Sequence, residues 1–143
     1  MDVTLLLHPA VSNRAVNAQF NLASVPQEQG EFMRAASYLE SMLQRETLSL
    51  HAKARSLNNL GNVRVSQGQP KAARALYEEA LLLNRELGNS SSIAIALLNL
   101  ADLASSNREF AAAQTDLEEG LRLAAEVGDT DCVSRALALC AFH

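Results

Sequence analysis

The sequence predicts an all-α protein built as a solenoid of stacked helix pairs. Three observations predict it: apolar residues that are mostly helix formers, self-similarity at a period near 40 residues, and helix stops and starts placed at that period. The 143 residues are 48% hydrophobic but only 4% aromatic, and Leu and Ala supply most of the apolar side chains, which favours helix. Three Pro and six Gly are too few for a sandwich with many turns. The length suits one domain and not two ordinary ones, so residues 1–143 are read as a single repeat domain.

A shift of 40 brings two segments into register without a gap. Asn59-Leu60 falls on Asn99-Leu100, Ala72-Ala73 on Ala112-Ala113, Glu78-Glu79 on Glu118-Glu119, and Gly88 on Gly128. A shift of 38 adds an earlier copy, with Leu22-Ala23 on Leu60-Gly61, Gly30 on Gly68, Ala35 on Ala73 and Leu39 on Tyr77. Repeats are therefore expected at about 12–50, 51–89 and 90–129, with a partial copy at 130–143.

Each element has a local reason. Val3 to Leu7 reads as the last turn of a helix whose repeat is missing. Ser12 caps the next helix, with Val11 and Val16 placed as a hydrophobic staple. Pro26 falls late in that helix and Met42 is bulky where a small residue is expected, so the first copy should be irregular. In the second copy Ala54, Leu57, Leu60 and Gly61 recur at three and four and share one helical face. Pro70 suits the first position of the partner helix, whose stripe runs Ala73, Leu76, Tyr77, Ala80, Leu81, Leu87 to a stop at Gly88. Asn89 to Ser92 offer capping oxygens to the third copy, which ends at Gly128 with Asp129-Thr130 as the next cap. The last segment puts Val133, Ala136, Leu137, Cys140 and Ala141 on a face that should dock on the third repeat, leaving Leu139 and Phe142 uncovered. That predicts either a longer parent protein or a homodimer made end to end through the C-terminal helix.

Charge and chemistry exclude more than they suggest. A net charge of −4 and a pI near 5.3 argue against nucleic acid and against an anionic membrane surface. The N-terminus lacks the basic start of a signal peptide, and no apolar run approaches a membrane span. Cys132 and Cys140 read as free thiols in a reducing, cytoplasmic setting. His8, His51 and His143 are scattered with no second ligand nearby, so no metal is expected. Gly61 and Gly68 fit the repeat and not a phosphate loop, and no cofactor is expected. Glu78-Glu79 and Glu118-Glu119 point about 100° apart on a helix and read as a solvated outer face. No nucleophile–base set is present, so the chain is read as no enzyme.

The repeat pattern resembles the tetratricopeptide repeat: a large residue, then Leu-Gly, a small residue early in the second helix, an aromatic four later and a small residue three after that. The second copy supplies Leu57, Leu60-Gly61, Ala73, Tyr77 and Ala80; the third supplies Leu97, Leu100-Ala101, Ala113, Leu117 and Gly120; the first supplies Leu22-Ala23, Ala35 and Leu39. Small residues there let paired helices approach closely. The period of 38 to 40 is similar to the longer repeats of kinesin light chains and of bacterial regulators related to the maltose activator. The resemblance implies an all-α right-handed superhelix of about seven antiparallel helices, whose concave groove binds a protein or an extended peptide.

The resemblance also implies that the residue before each Leu-Gly pair faces that groove. It is an asparagine in all three copies: Asn21, Asn59 and Asn99. Asparagine is a poor helix-interior residue, so its recurrence asks for a reason. Its amide can pair with both the C=O and the N–H of a peptide bond, which suits a ladder reading an extended backbone. The alternative is that these asparagines bridge adjacent helices. Asn58 and Asn62 thicken the patch, and register places Asn17, Phe20, Ser24, Arg55, Ile95, Leu98, Asp102 and Arg135 around it. The expected function is a peptide-binding scaffold or sensor module, in the style of a bacterial transcription regulator; the alternative is a self-associating structural segment without a peptide ligand.

Overall fold

The computed structural model describes residues 29–140. The described residues form six α-helices: α1 (Gln29–Leu43), α2 (Leu50–Ser66), α3 (Pro70–Leu87), α4 (Ser90–Ser106), α5 (Phe110–Val127) and α6 (Thr130–Cys140). Each packs on its neighbours in sequence, and α4 also packs on α6. The α2/α3 and α4/α5 pairs are the tightest, as the repeat register predicts. Ser12, the Val11–Val16 staple, Pro26 and the Val3–Leu7 turn lie outside the described residues.

Caps set the helix boundaries. Ser49 Oγ accepts the Ala52 N–H at 3.1 Å, Asn89 Oδ1 accepts the Ser92 N–H at 3.2 Å, and Asp129 Oδ1 accepts the Cys132 N–H at 3.1 Å. The last bond holds the Asp129 carboxyl below its usual range. α3 opens on Pro70, whereas α5 opens without a side-chain cap. Gly88 and Gly128 stop α3 and α5 at φ 67° and 72°, each in the left-handed region. At the α2–α3 turn Gly68 also has φ 73°, but its counterpart 40 residues on is Arg108, held at φ 62° without glycine's freedom.

The core is a chain of clusters between successive helices. Phe32, Ala35, Ala36 and Leu39 of α1 meet Leu60 and Val63 of α2. Ala73 and Tyr77 of α3 meet Leu100 and Leu103 of α4. Ala94, Leu98 and Ala101 of α4 meet Leu117 and Ala124 of α5 and Cys132 and Ala136 of α6. A solenoid buries its apolar faces in this way, each repeat against the repeats next to it.

Three expectations need correction. Leu98, placed in the groove by register, is completely buried, because it packs towards Gly120 of α5 in a cluster that α6 also joins. On α6 the docking face is Cys132, Val133, Ala136 and Leu139, while Leu137 and Cys140 are exposed. The helix turns that stripe to meet α4 and α5 together, which swings Leu137 outward. Glu119 is more than a solvated residue: its carboxylate accepts two hydrogen bonds from Arg85 at 2.9 Å, joining α5 to α3.

Candidate functional site

A polar strand of side chains runs across the first helices of three consecutive pairs. Arg135 of α6 donates from Nη2 to Asn99 Oδ1 at 2.7 Å, and Asn99 Nδ2 donates to Asn58 Oδ1 on α2 at 2.7 Å. Guanidinium has no acceptor, so the Asn99 carbonyl must face Arg135 and its NH2 must face Asn58. The orientation of the buried Asn99 amide is therefore fixed by chemistry. Arg135 is also 3.9 Å from Asp102 Oδ2, and both side chains are substantially exposed.

A second polar contact comes from the other helix of the α2/α3 pair. The ring of Tyr77 is buried against Gly61, where an added Cβ would lie 2.5 Å and 2.7 Å from ring carbons. Its hydroxyl donates to Asn62 Oδ1 at 2.6 Å. Burial pushes the phenol pKa up, Arg135 opposes that and Asp102 adds to it, so the group stays a protonated donor at neutral pH.

These elements enclose a cleft of about 320 Å³ lined by Asn62, Tyr77, Asn99, Asp102 and Arg135, with Ser66 and Ser106 as further polar groups and Val65 and Leu103 as apolar ones. The cleft mixes donors and acceptors and carries one charge of each sign, Arg135 and Asp102. Among the described residues no group of His, Cys, Asp and Glu side chains could hold a metal ion. No helix among them is long and apolar enough to cross a membrane.

The structure thus brings together some of the residues chosen from sequence and separates others. Asn62, Asn99 and Asp102 line one cleft, and Asn58 stands behind it through Asn99. Asn59 is half-buried and Arg55 exposed, and neither lines this cleft. Asn21, Asn17, Phe20 and Ser24 lie outside the described residues. Asn59 and Asn99 share a register position but not an environment, because Ile95 stands where Arg135 stands one repeat later. By its spacing in the sequence Tyr77 reads as core alone. The signal was there in part: an aromatic with a polar tip, packed opposite a glycine, needs somewhere to send its hydroxyl.

A family model described as Tetratricopeptide repeat matches residues 14–86 and again residues 52–126. The two matches begin 38 and end 40 residues apart, the same two offsets found within the chain. No curated protein matches it.

Proposed function

This chain belongs to the tetratricopeptide repeat family, whose repeats mediate protein–protein interaction, and on that premise we propose that it is a scaffold or sensor module that holds an extended peptide in the cleft between α2, α4 and α6. The observation that carries the proposal is the convergence of Asn62, Asn99, Asp102 and Arg135, from three separate helices, on one open cleft with Tyr77 at its wall. The Asn62 NH2 and the Asp102 carboxylate, beside the apolar Val65 and Leu103, match the needs of a peptide backbone, which must exchange water for other partners when it binds. The whole chain then works as one repeat domain, without cofactor, metal or catalytic role, and with no nucleic acid or membrane among its partners. A cytoplasmic place within a larger bacterial transcription regulator fits the long period and the free thiols, Cys132 among them with a pKa pushed up to about 11, chiefly by burial.

The test is selection of a displayed random dodecapeptide library on the protein, followed by binding of the selected peptide to Asn62→Ala and Asp102→Ala. Weaker binding in both is the expected result, with melting unchanged in Asp102→Ala and lowered in Asn62→Ala only by loss of the Tyr77 hydrogen bond. Undiminished binding in both would place the binding face elsewhere.

A second reading has one observation in its favour. Leu57 and Leu97 are 3% and 1% exposed, whereas Leu137 at the same register position is 55% exposed. A second copy meeting α6 there would make a homodimer. Sedimentation of the native chain against Leu137→Glu decides it: a dimer that the substitution dissociates supports this reading, and a monomer in both removes it.

A further inference from the structure

The hydroxyl of Tyr77 sits where a packing residue has no need of one. In the α4/α5 pair the corresponding residues are Ala101 and Leu117, both buried. The α2/α3 pair instead removes a Cβ at Gly61 and uses the space for an aromatic ring. The ring lies between the two helices and delivers its O–H to Asn62 at the cleft. With glycine beneath it and core around it, the ring has one position available.

That contact decides which end of Asn62 a ligand meets. A carboxamide is planar, so fixing its oxygen on the phenol fixes its NH2 on the opposite side. Asn62 Nδ2 donates to no protein group among the described residues, although Asn62 lines the cleft. One period further along, at the same register position, stands Asp102, which can only accept. Asn99 between them is spent on Asn58 and Arg135.

We propose that Tyr77 is a positioning residue which fixes Asn62 as the hydrogen-bond donor of the cleft, so that a bound extended peptide places a backbone C=O against Asn62 Nδ2 and a backbone N–H against Asp102. The inference rests on the groove reading above and adds to it the polarity of two rungs and the residue that sets one of them. It also gives Asn62 and Asp102, alike in register, opposite tasks.

The experiment uses the dodecapeptide selected on the native protein, with affinity read by fluorescence anisotropy, and the side-chain amide signals of Asn62 in the free protein read by NMR. Tyr77→Phe keeps the ring and removes only the hydroxyl. It should weaken binding about two- to tenfold, the worth of one neutral hydrogen bond, and should shift and broaden the Asn62 amide signals. In an Asn62→Ala background the same substitution should have no further effect on affinity. Asn62→Asp keeps an acceptor for the phenol but removes the donor, and should bind as poorly as Asn62→Ala. A peptide that binds Asn62→Asp as it binds wild type overturns the donor assignment. Unchanged Asn62 signals in Tyr77→Phe, or equal losses from that substitution in both backgrounds, overturn the positioning role while leaving the groove intact. A library that yields no binder removes the groove reading, and this inference with it.

Discussion

Replacing Gly61 by Ala tests the α2/α3 interface at its closest point. A Cβ there would lie 2.5 Å from Tyr77 Cε1 and 2.7 Å from Cδ1, so the ring must move. Tyr77 is 3% exposed and its hydroxyl is bonded to Asn62, so movement costs packing and a hydrogen bond together. Overpacking of this kind costs about 1–3 kcal/mol, and losing the bond adds roughly 0.5–1.5 kcal/mol. Alanine returns about 1 kcal/mol through its better helix propensity, leaving a net destabilisation of roughly 0.5–3.5 kcal/mol. The third repeat shows the remedy, for it already pairs Ala101 with Leu117. Gly61→Ala with Tyr77→Leu should therefore be more stable than the sum of its parts, with a coupling of about 0.5–3 kcal/mol. Urea unfolding followed by far-UV circular dichroism measures both, with the m-value checked for loss of cooperativity between repeats. A Gly61→Ala protein as stable as wild type, or a double variant that is simply additive, would refute the close packing described for this pair.

Other expectations follow from the same comparison of repeats. Arg108→Gly should stabilise by about 1 kcal/mol, since Arg108 holds the left-handed φ of 62° that Gly68 supplies one repeat earlier; thermal melting checks it. Asn99→Ala should cost about 1–3 kcal/mol because it removes two hydrogen bonds, to Asn58 and from Arg135, while Asn59→Ala should leave urea midpoints nearly unchanged, since Asn59 has no side-chain hydrogen bond among the described residues. Stability should fall in acid: hydrogen bonding from Arg85 lowers Glu119 from 4.5, and the Cys132 N–H lowers Asp129 from 3.8. Their contribution is present above those ordinary values and is lost as pH falls through the lowered ones. Asp116 has the opposite sign, because partial burial, then Glu119, raises it above 3.8. What its protonated form contributes is lost as pH rises through the raised value, so Asp116→Asn should gain stability at neutral pH and none in strong acid, measured by denaturant midpoints across pH.

The fold was legible because its signals repeat. Leu57, Leu60 and Gly61 predict the buried face of α2 by spacing alone, and Leu97, Leu100 and Ala101 predict it again for α4. Gly88 and Gly128 mark stops that the backbone obeys at positive φ. What register could not supply was the difference between copies. It made Leu98 a groove residue by analogy with Asn58, yet Leu98 is buried in the cluster that α4 shares with α5 and α6. It made Asn59 and Asn99 equal rungs, although Asn99 is hydrogen-bonded on both sides by residues from two other helices. Period predicts which face a side chain occupies; it says nothing of which neighbour arrives at that face from another helix.

The cleft itself is an outcome of that inequality. Strict repetition would place the same residue at 62 and 102 and the same pair at each helix–helix contact, giving identical rungs. Here one pair carries glycine and tyrosine, which brings a hydroxyl to Asn62, and the next carries alanine and leucine, which brings none to Asp102. Arg135, with no counterpart at Ile95, occupies the Asn99 carbonyl and stands beside Asp102. The small and large residues that close each helix pair therefore also determine which polar group the neighbouring rung presents. A change made in the core at Gly61 should reach the groove through Tyr77, so that Gly61→Ala weakens binding of a selected peptide even under conditions where the protein is fully folded.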